Sequence, residues 1–338
     1  MVTDGLRWGV VGASWIAQAF VIPAIRETGS SVSAVYSSDP ARATAYADRN
    51  NVPRAYGSLD EFLVDPAVDA VYVSSTNERH APQVLAAAAA GKPVLCEKPL
   101  ALSLDDARAM VAACERAGVV LAVNHHLRNA PTIRAMKQLL QSGAIGRPQA
   151  VRVLHVLLLP EVKRTWRVSR ADAGGGAILD LTVHDVDTLR FLLEDEPEEV
   201  AAIASQQGLG QGLVEDTVTG VIRFTGGVVA SFHDSYTIPG EPTRLEIHGS
   251  EGSLIGVEVL RQQPLGEVTL RTGAEQFQVD VGVRENLYAR QLRHFTAAVQ
   301  GEGSPVATGE DGVRSLATAL AVAESARTGA RVRLPSAF

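Results

Sequence analysis

The chain has 338 residues, 46% of them hydrophobic and 20% charged, with 31 basic against 38 acidic side chains and a formal net charge of −7. That length suffices for two domains with separate cores, and the composition is that of a globular chain. The acidic balance argues against nucleic acid as a partner, and no apolar run is long enough to cross a membrane.

The two cysteines, Cys96 and Cys114, form no CxxC pair and read as buried, reduced thiols. Segment 1–7 lacks the charged, apolar and small-residue succession of a secretion signal, so a cytoplasmic location is expected.

In chain order, 6–11 reads as a buried strand, 15–28 as a helix ending at Gly29, 32–36 as a strand and 40–50 as a helix. Strands at 70–73, 94–97 and 119–123 then alternate with helices at 81–90 and 104–117. This alternation predicts βαβ units with right-handed crossovers and a parallel sheet. After about Asn124 the rhythm changes. A helix at 132–141 leads to an apolar strand at 150–159, and a further helix follows Gly174-Gly175-Gly176. Strands at 200–205, 216–224, 228–236, 243–248 and 253–257 come in succession, and helices at 286–299 and 311–326 close the chain. The expected fold is α/β: a dinucleotide-binding Rossmann domain over 1–124, then an α+β domain over 125–338 with an open, mainly antiparallel sheet. One face of that sheet is expected under helices, the other wet, paired or used for association.

Gly12-Ala13-Ser14-Trp15-Ile16-Ala17 follows the first strand and opens the first helix, matching G-x-G-x-x-G/A with serine at the second glycine. Gly12 permits the tight turn, helix N-terminal amides hold a pyrophosphate, Ala17 allows close helix packing, and the Ser14 hydroxyl can donate to a phosphate. At the end of the second strand, where NAD readers place Asp or Glu, stand Ser37 and Ser38, with Arg42 one turn on. Two hydroxyls and a guanidinium suit a 2′-phosphate, so NADPH is preferred and NADH is the alternative. Arg42 as a plain exposed helix residue is the competing reading. Asp39-Pro40 reads as N-cap and first position of the next helix.

Glu97-Lys98-Pro99 closes the apolar strand at 94–97, at the sheet end where ligands of open α/β sheets lie. Asp180 and His184 are spaced for one helix face, where a carboxylate holds and raises an imidazole. Asn77 and His80 follow the third strand of this reading and are expected at the nicotinamide edge, with a helix N-terminal contact as the other reading of His80. Arg128 and Trp166 are candidate sugar contacts, with a packed loop as the other reading of Trp166. Adjacent His125 and His126 point apart if extended. Asp185 and Asp187 flank His184, but no tight ligand spacing supports a metal, and none is expected.

Together these motifs resemble the glucose–fructose oxidoreductase/inositol dehydrogenase (Gfo/Idh/MocA) family. The resemblance covers essentially the whole chain and rests on Gly12 to Ala17, Ser75-Thr76-Asn77-Glu78-Arg79-His80, Cys96 to Leu100, Asn124 to Arg128, and Asp180 to Asp185. It implies cofactor contacts at Gly12, Ser14, Trp15, Ile16, Ala17, Ser37, Ser38, Arg42, Ser75, Thr76, Asn77, His80, Glu97, Lys98 and Asn124. It also implies a cis bond before Pro99 and a catalytic set of Lys98, His184 and Asp180 acting from two domains. Substrate contacts are expected at Arg128, Trp166, Asp180 and His184. The implied reaction is NADPH-dependent reduction of the 2-keto group of an anhydro sugar, in a monomer or homodimer. An NAD-dependent sugar or inositol dehydrogenase and a non-catalytic NAD(P)-binding sugar sensor are the alternatives.

Overall fold

The computed structural model describes residues 5–335. The chain divides into two compact units, one running to His125 and taking in Tyr288–Val313, the other comprising His126–Leu287 and the segment from Arg314 onward.

The first unit is built on strands β1 (Arg7–Val11), β2 (Ser31–Tyr36), β3 (Ala55–Tyr56), β4 (Ala70–Val73), β5 (Val94–Cys96) and β6 (Leu121–Val123), in the order β3-β2-β1-β4-β5-β6. Every pairing is parallel. β4 and β5 are buried at every position, as the continuous apolar runs of a doubly covered sheet require. Chain order reverses between β1 and β4, so the ligand crevice of such a sheet lies at their carboxyl ends. Helix boundaries follow their capping residues. Asp39 accepts from the amides of Ala41 and Arg42 ahead of Pro40–Asn50, and Ser103 caps Leu104–Ala117, which stops at left-handed Gly118.

Three features depart from the sequence reading. The expected helix at 15–28 begins with a π turn, Ala17–Val21, before Ile22–Glu27 continues as α-helix. Ala55–Tyr56 and the helix Leu59–Val64 went unread because neither spans enough residues to show a period. Tyr288–Val313, expected in the second domain, belongs with the first unit. There Phe295 packs against Trp8 with ring centroids 5.0 Å apart, and Val123 donates to the Ala307 carbonyl at 3.1 Å.

The second unit carries β7 (Pro148–Val156), β8 (Pro197–Ser205), β9 (Thr217–Phe224), β10 (Val229–Ser235), β11 (Arg244–Gly249), β12 (Ser253–Val257), β13 (Glu267–Thr272), β14 (Glu275–Gln278) and β15 (Val332–Arg333). Their order is β14-β13-β12-β11-β7-β10-β9-β8-β15. β7 and β10 pair in parallel, and the remaining neighbours are antiparallel. The inward residues Val151, Ile222, Ala230, Ile247 and Leu254 form a dry layer, whereas Ile203, Val221 and Val229 face outward. β13, β14 and β15 were not foreseen, since Glu275–Gln278 is exposed throughout and β15 has two residues. Among the described residues no helix is long and apolar enough to cross a membrane.

Ile247 is wholly buried on β11, near the middle of this sheet. Ile247→Ala is expected to cost about 2–5 kcal/mol through lost burial and a residual cavity, read as a lower denaturant midpoint at unchanged slope.

Candidate active site

At the carboxyl end of β1 the chain turns at Gly12, whose φ is +101°. A Cβ there would lie 2.7 Å from the Ser75 amide nitrogen, so glycine is required both by the backbone conformation and by the close approach to the loop after β4. The carbonyls of the turn are taken up on the protein side. Ser14 N–H donates to Gly12 O at 2.9 Å, Arg42 Nη2 to Ala13 O at 2.8 Å, and Tyr46 Oη to Ser14 O at 2.9 Å. Ser14 Oγ accepts from Ala17 N–H at 3.1 Å and donates to Ser74 Oγ at 2.8 Å. The serine hydroxyl thus caps the helix and bridges the segments after β1 and β4. Ile16 is half-buried and Ala17 buried, while Trp15 is exposed with its ring edge-on to Phe20 at 5.5 Å.

Beyond β2, Ser37 is buried and its hydroxyl accepts from Asp39 N–H at 3.3 Å, while Ser38 and Arg42 are exposed. Arg79, which the sequence reading passed over as a site residue, reaches Ser38 Oγ with Nη1 at 3.5 Å. Ser75 and Thr76 are half-buried in the loop after β4, with Ser75 Oγ donating to Gln83 Oε1 at 2.6 Å, and Asn77 is buried at the start of the turn that follows.

His80 opens the helix His80–Ala89. It is fully buried, with Nδ1 2.9 Å from the Pro99 carbonyl and Nε2 3.3 Å from the Ser75 carbonyl. Burial lowers its pKa. It is a buried strut between the loops that carry Ser75 and Pro99.

Glu97 ends the β5 run, and its Oε1 accepts from Tyr72 Oη at 2.5 Å and Asn124 Nδ2 at 2.6 Å. Glu97 and Asn124, expected against the cofactor, tie together the ends of β4, β5 and β6. Burial, then the Glu97 charge, push the Tyr72 phenol far above its ordinary pKa, so it remains a donor. Lys98 follows, half-buried, and the Lys98–Pro99 peptide bond is cis.

In the second unit, Asp180 lies in a π turn, Ile178–Thr182, that leads into the α-helix Val183–Leu193 carrying His184. The regular α-helical spacing read from the sequence therefore does not hold across this pair, because a π turn closes on the fifth residue. Asp180 Oδ2 accepts from Tyr236 Oη at 2.8 Å, and Arg167 Nε stands 3.6 Å away. Tyr236 is buried, and burial and the Asp180 charge hold its phenol protonated. The Arg167 guanidinium lies 4.5 Å over the half-buried Trp166 ring. Gly176, at φ +117°, admits Glu215, whose Oε1 accepts from Ile178 N–H at 3.0 Å and fixes the entry to the π turn.

The His184 ring meets His126 edge-on at 5.0 Å and lies 6.5 Å from the ring of His155. Both His125 and His126 are buried. Arg128, expected to donate to a sugar, is also buried. Its Nε and Nη2 form a fork on Asp187 at 2.9 and 2.7 Å, and the guanidinium packs over Phe191. This fork braces the helix that carries His184.

Sequence reasoning also missed a buried acidic pair. His155 Nδ1 is 2.8 Å from Asp185 Oδ1, and Asp234, register partner of His155, accepts from Thr182 Oγ1 at 2.5 Å. Asp185 Oδ2 and Asp234 Oδ1 are buried without a protein hydrogen-bond donor, and the two carboxyls interact directly. One proton held between them satisfies both oxygens. Burial pushes Asp185 up to about 7, and burial plus the Asp185 charge push Asp234 well above the ordinary range. Among the described residues no group of three or more His, Cys, Asp or Glu side chains is placed to hold a metal.

Comparison with known proteins follows the same division. Residues 6–125 match the oxidoreductase family, NAD-binding Rossmann fold, and residues 133–255 match the GFO/IDH/MocA C-terminal domain. The chain is 53% identical to 1,5-anhydro-D-fructose reductase of Ensifer adhaerens, over 96% of this chain and 97% of that one. Among solved structures it resembles aldose-aldose oxidoreductase from Caulobacter crescentus, complexed with glycerol, with a TM-score of 0.89 and 28% identity over 97% of this chain and 99% of that one. It also resembles an oxidoreductase from Agrobacterium radiobacter in complex with NAD+, L-tartaric acid and magnesium, with a TM-score of 0.84 and 26% identity over 97% and 98% of the two chains.

Two outcomes are expected. Gly12→Ala strains the turn by about 1–3 kcal/mol and lowers dinucleotide affinity, seen as a smaller rise in Tm on adding NADPH. Asp185 has a folded pKa above its ordinary value, so its contribution to stability is complete below about pH 4 and is lost as pH rises through about 7. Denaturant unfolding between pH 4 and 8 should therefore show a decline in the wild type that is reduced in Asp185→Asn, which still accepts from His155.

Proposed function

We infer that this chain, which belongs to the GFO/IDH/MocA family of NAD(P)-dependent oxidoreductases, reduces the keto group of a sugar with NADPH, most directly 1,5-anhydro-D-fructose to 1,5-anhydro-D-mannitol. The observation that carries this reading is the half-buried Lys98 at the carboxyl end of β5, next to the Glu97 brace, at the ligand end of a Rossmann sheet. The likeness to the Ensifer reductase supports the substrate.

The residues fit a dinucleotide. The Gly12 position admits no side chain, and its loop carbonyls are bonded on the protein side. Gly12, Ser14, Trp15, Ile16 and Ala17 would hold the pyrophosphate end, Ser37, Ser38 and Arg42 the adenosine ribose, and Ser75, Thr76, Asn77 and Lys98 the nicotinamide end. When bound, NADPH supplies the hydride. In this proposal Lys98 hydrogen-bonds the carbonyl oxygen and stabilises the negative charge that grows on it. His184 delivers the proton that completes the alcohol, with Lys98 as the other candidate donor. Asp180, held by Tyr236 and Arg167, is proposed as the carboxylate that completes this set. Trp166 offers an aromatic face for the sugar ring.

The cofactor choice rests on β2. The acidic residue that follows β2 most closely, Asp39, caps the next helix through Oδ1. A related structure carries NAD+, so family membership alone does not select the cofactor.

The test is NADPH oxidation against a panel of keto sugars with 1,5-anhydro-D-fructose included. Turnover of that sugar, with a lower KM for NADPH than for NADH, is expected. His184→Ala should lower kcat by roughly a hundredfold or more. Clear NADPH binding with no turnover of any keto sugar would favour a sensor, and a preference for NADH would refute the cofactor assignment.

A further inference from the structure

We propose that Arg79 is a second cationic recognition residue for the 2′-phosphate of NADPH, acting with Arg42 and the Ser38 hydroxyl; this rests on the NADPH reading above. Arg79 ends the short turn Asn77–Arg79 after β4, yet its guanidinium reaches the segment after β2, with Nη1 3.5 Å from Ser38 Oγ. Arg42 approaches the neighbouring Gly12 turn from the start of Pro40–Asn50 and donates to Ala13 O at 2.8 Å. The Gly12 N–H to Tyr36 O bond, at 2.9 Å, joins the ends of β1 and β2 beneath them.

Acids that would otherwise neutralise these cations are absent from their contacts. Asp39 spends its Oδ1 on the amides of Ala41 and Arg42 at 3.0 and 3.2 Å. Neither Arg42 nor Arg79 makes an ion pair among the described residues, although most buried or half-buried arginines of this acidic chain do. A single hydrogen bond of 3.5 Å to a neutral hydroxyl leaves most guanidinium donors of Arg79 open. Two exposed guanidiniums and a serine hydroxyl at the end of β2 match a phosphomonoester dianion, which takes several N–H donors at once. The pyrophosphate does not compete for this position, because it is served by the Gly12 turn and the helix that follows.

Equilibrium titrations of NADP+ and NAD+ into wild type, Arg79→Ala, Arg79→Lys and Arg42→Ala test the assignment. Arg79→Ala is expected to weaken NADP+ by about tenfold while leaving NAD+ unchanged, and to flatten the salt dependence of NADP+ binding. Arg79→Lys, keeping the charge without the fork, should fall between. If Arg79→Ala weakens both dinucleotides in parallel, or neither, the residue does not read the phosphate and the proposal fails while the NADPH assignment stands. If wild type binds NAD+ as tightly as NADP+, the NADPH assignment itself fails, and this inference with it; that result is visible before any variant is made.

Discussion

The buried carboxylate of Glu97 is the interaction on which the first unit's ligand end depends. It stands where three parallel strands finish, and a charge so placed is tolerated only if its oxygen is met by donors. Tyr72 and Asn124 meet it, one from β4 and one from just beyond β6. The residue that follows, Lys98, therefore leaves the sheet from a fixed point, and His80 pins the Pro99 carbonyl from the other side. The lysine's point of departure is set by the polar triangle of Glu97, Tyr72 and Asn124.

The second unit solves a similar problem by different means. Its central strands β7 and β10 run in parallel and bring His155 opposite Asp234, beneath the helix that bears Asp185 and His184. Arg128 and Asp187 close a fork on the same helix. Packing ionisable groups this densely is costly unless each is paired or neutralised. The structure meets that demand by pairing histidine with carboxylate, arginine with carboxylate, and one carboxyl with another through a proton. Both stretches of π-helix, at Ala17–Val21 and Ile178–Thr182, hold residues of the candidate site, Ala17 and Asp180.

Much of this was legible in the residues. The alternation of apolar runs and helical periods disclosed the parallel sheet, and Asp39-Pro40 announced its helix as the structure has it. Gly12 was legible because its conformation and its neighbours both demand glycine. What escaped was whatever depends on partners distant in sequence. Arg128 looks like a ligand donor until Asp187, 59 residues away, is seen on its fork. His80 looks exposed after a strand until Pro99 and Ser75 enclose it. Tyr236 and Arg79 carry no local signature, since each matters only through what the fold brings beside it. The spacing of Asp180 and His184 was read correctly as a count and wrongly as α-helical geometry, because period alone does not reveal a π insertion.

The return of Tyr288–Val313 to the first unit has a practical bearing on dissection of the chain. A fragment severed after residue 125 keeps every strand of the parallel sheet but strips Phe295 from Trp8 and removes the Ala307 carbonyl from Val123. Such a piece would display a bare indole surface and invite clumping. An autonomous nucleotide-binding half would have to be assembled by splicing the late segment back onto the early one.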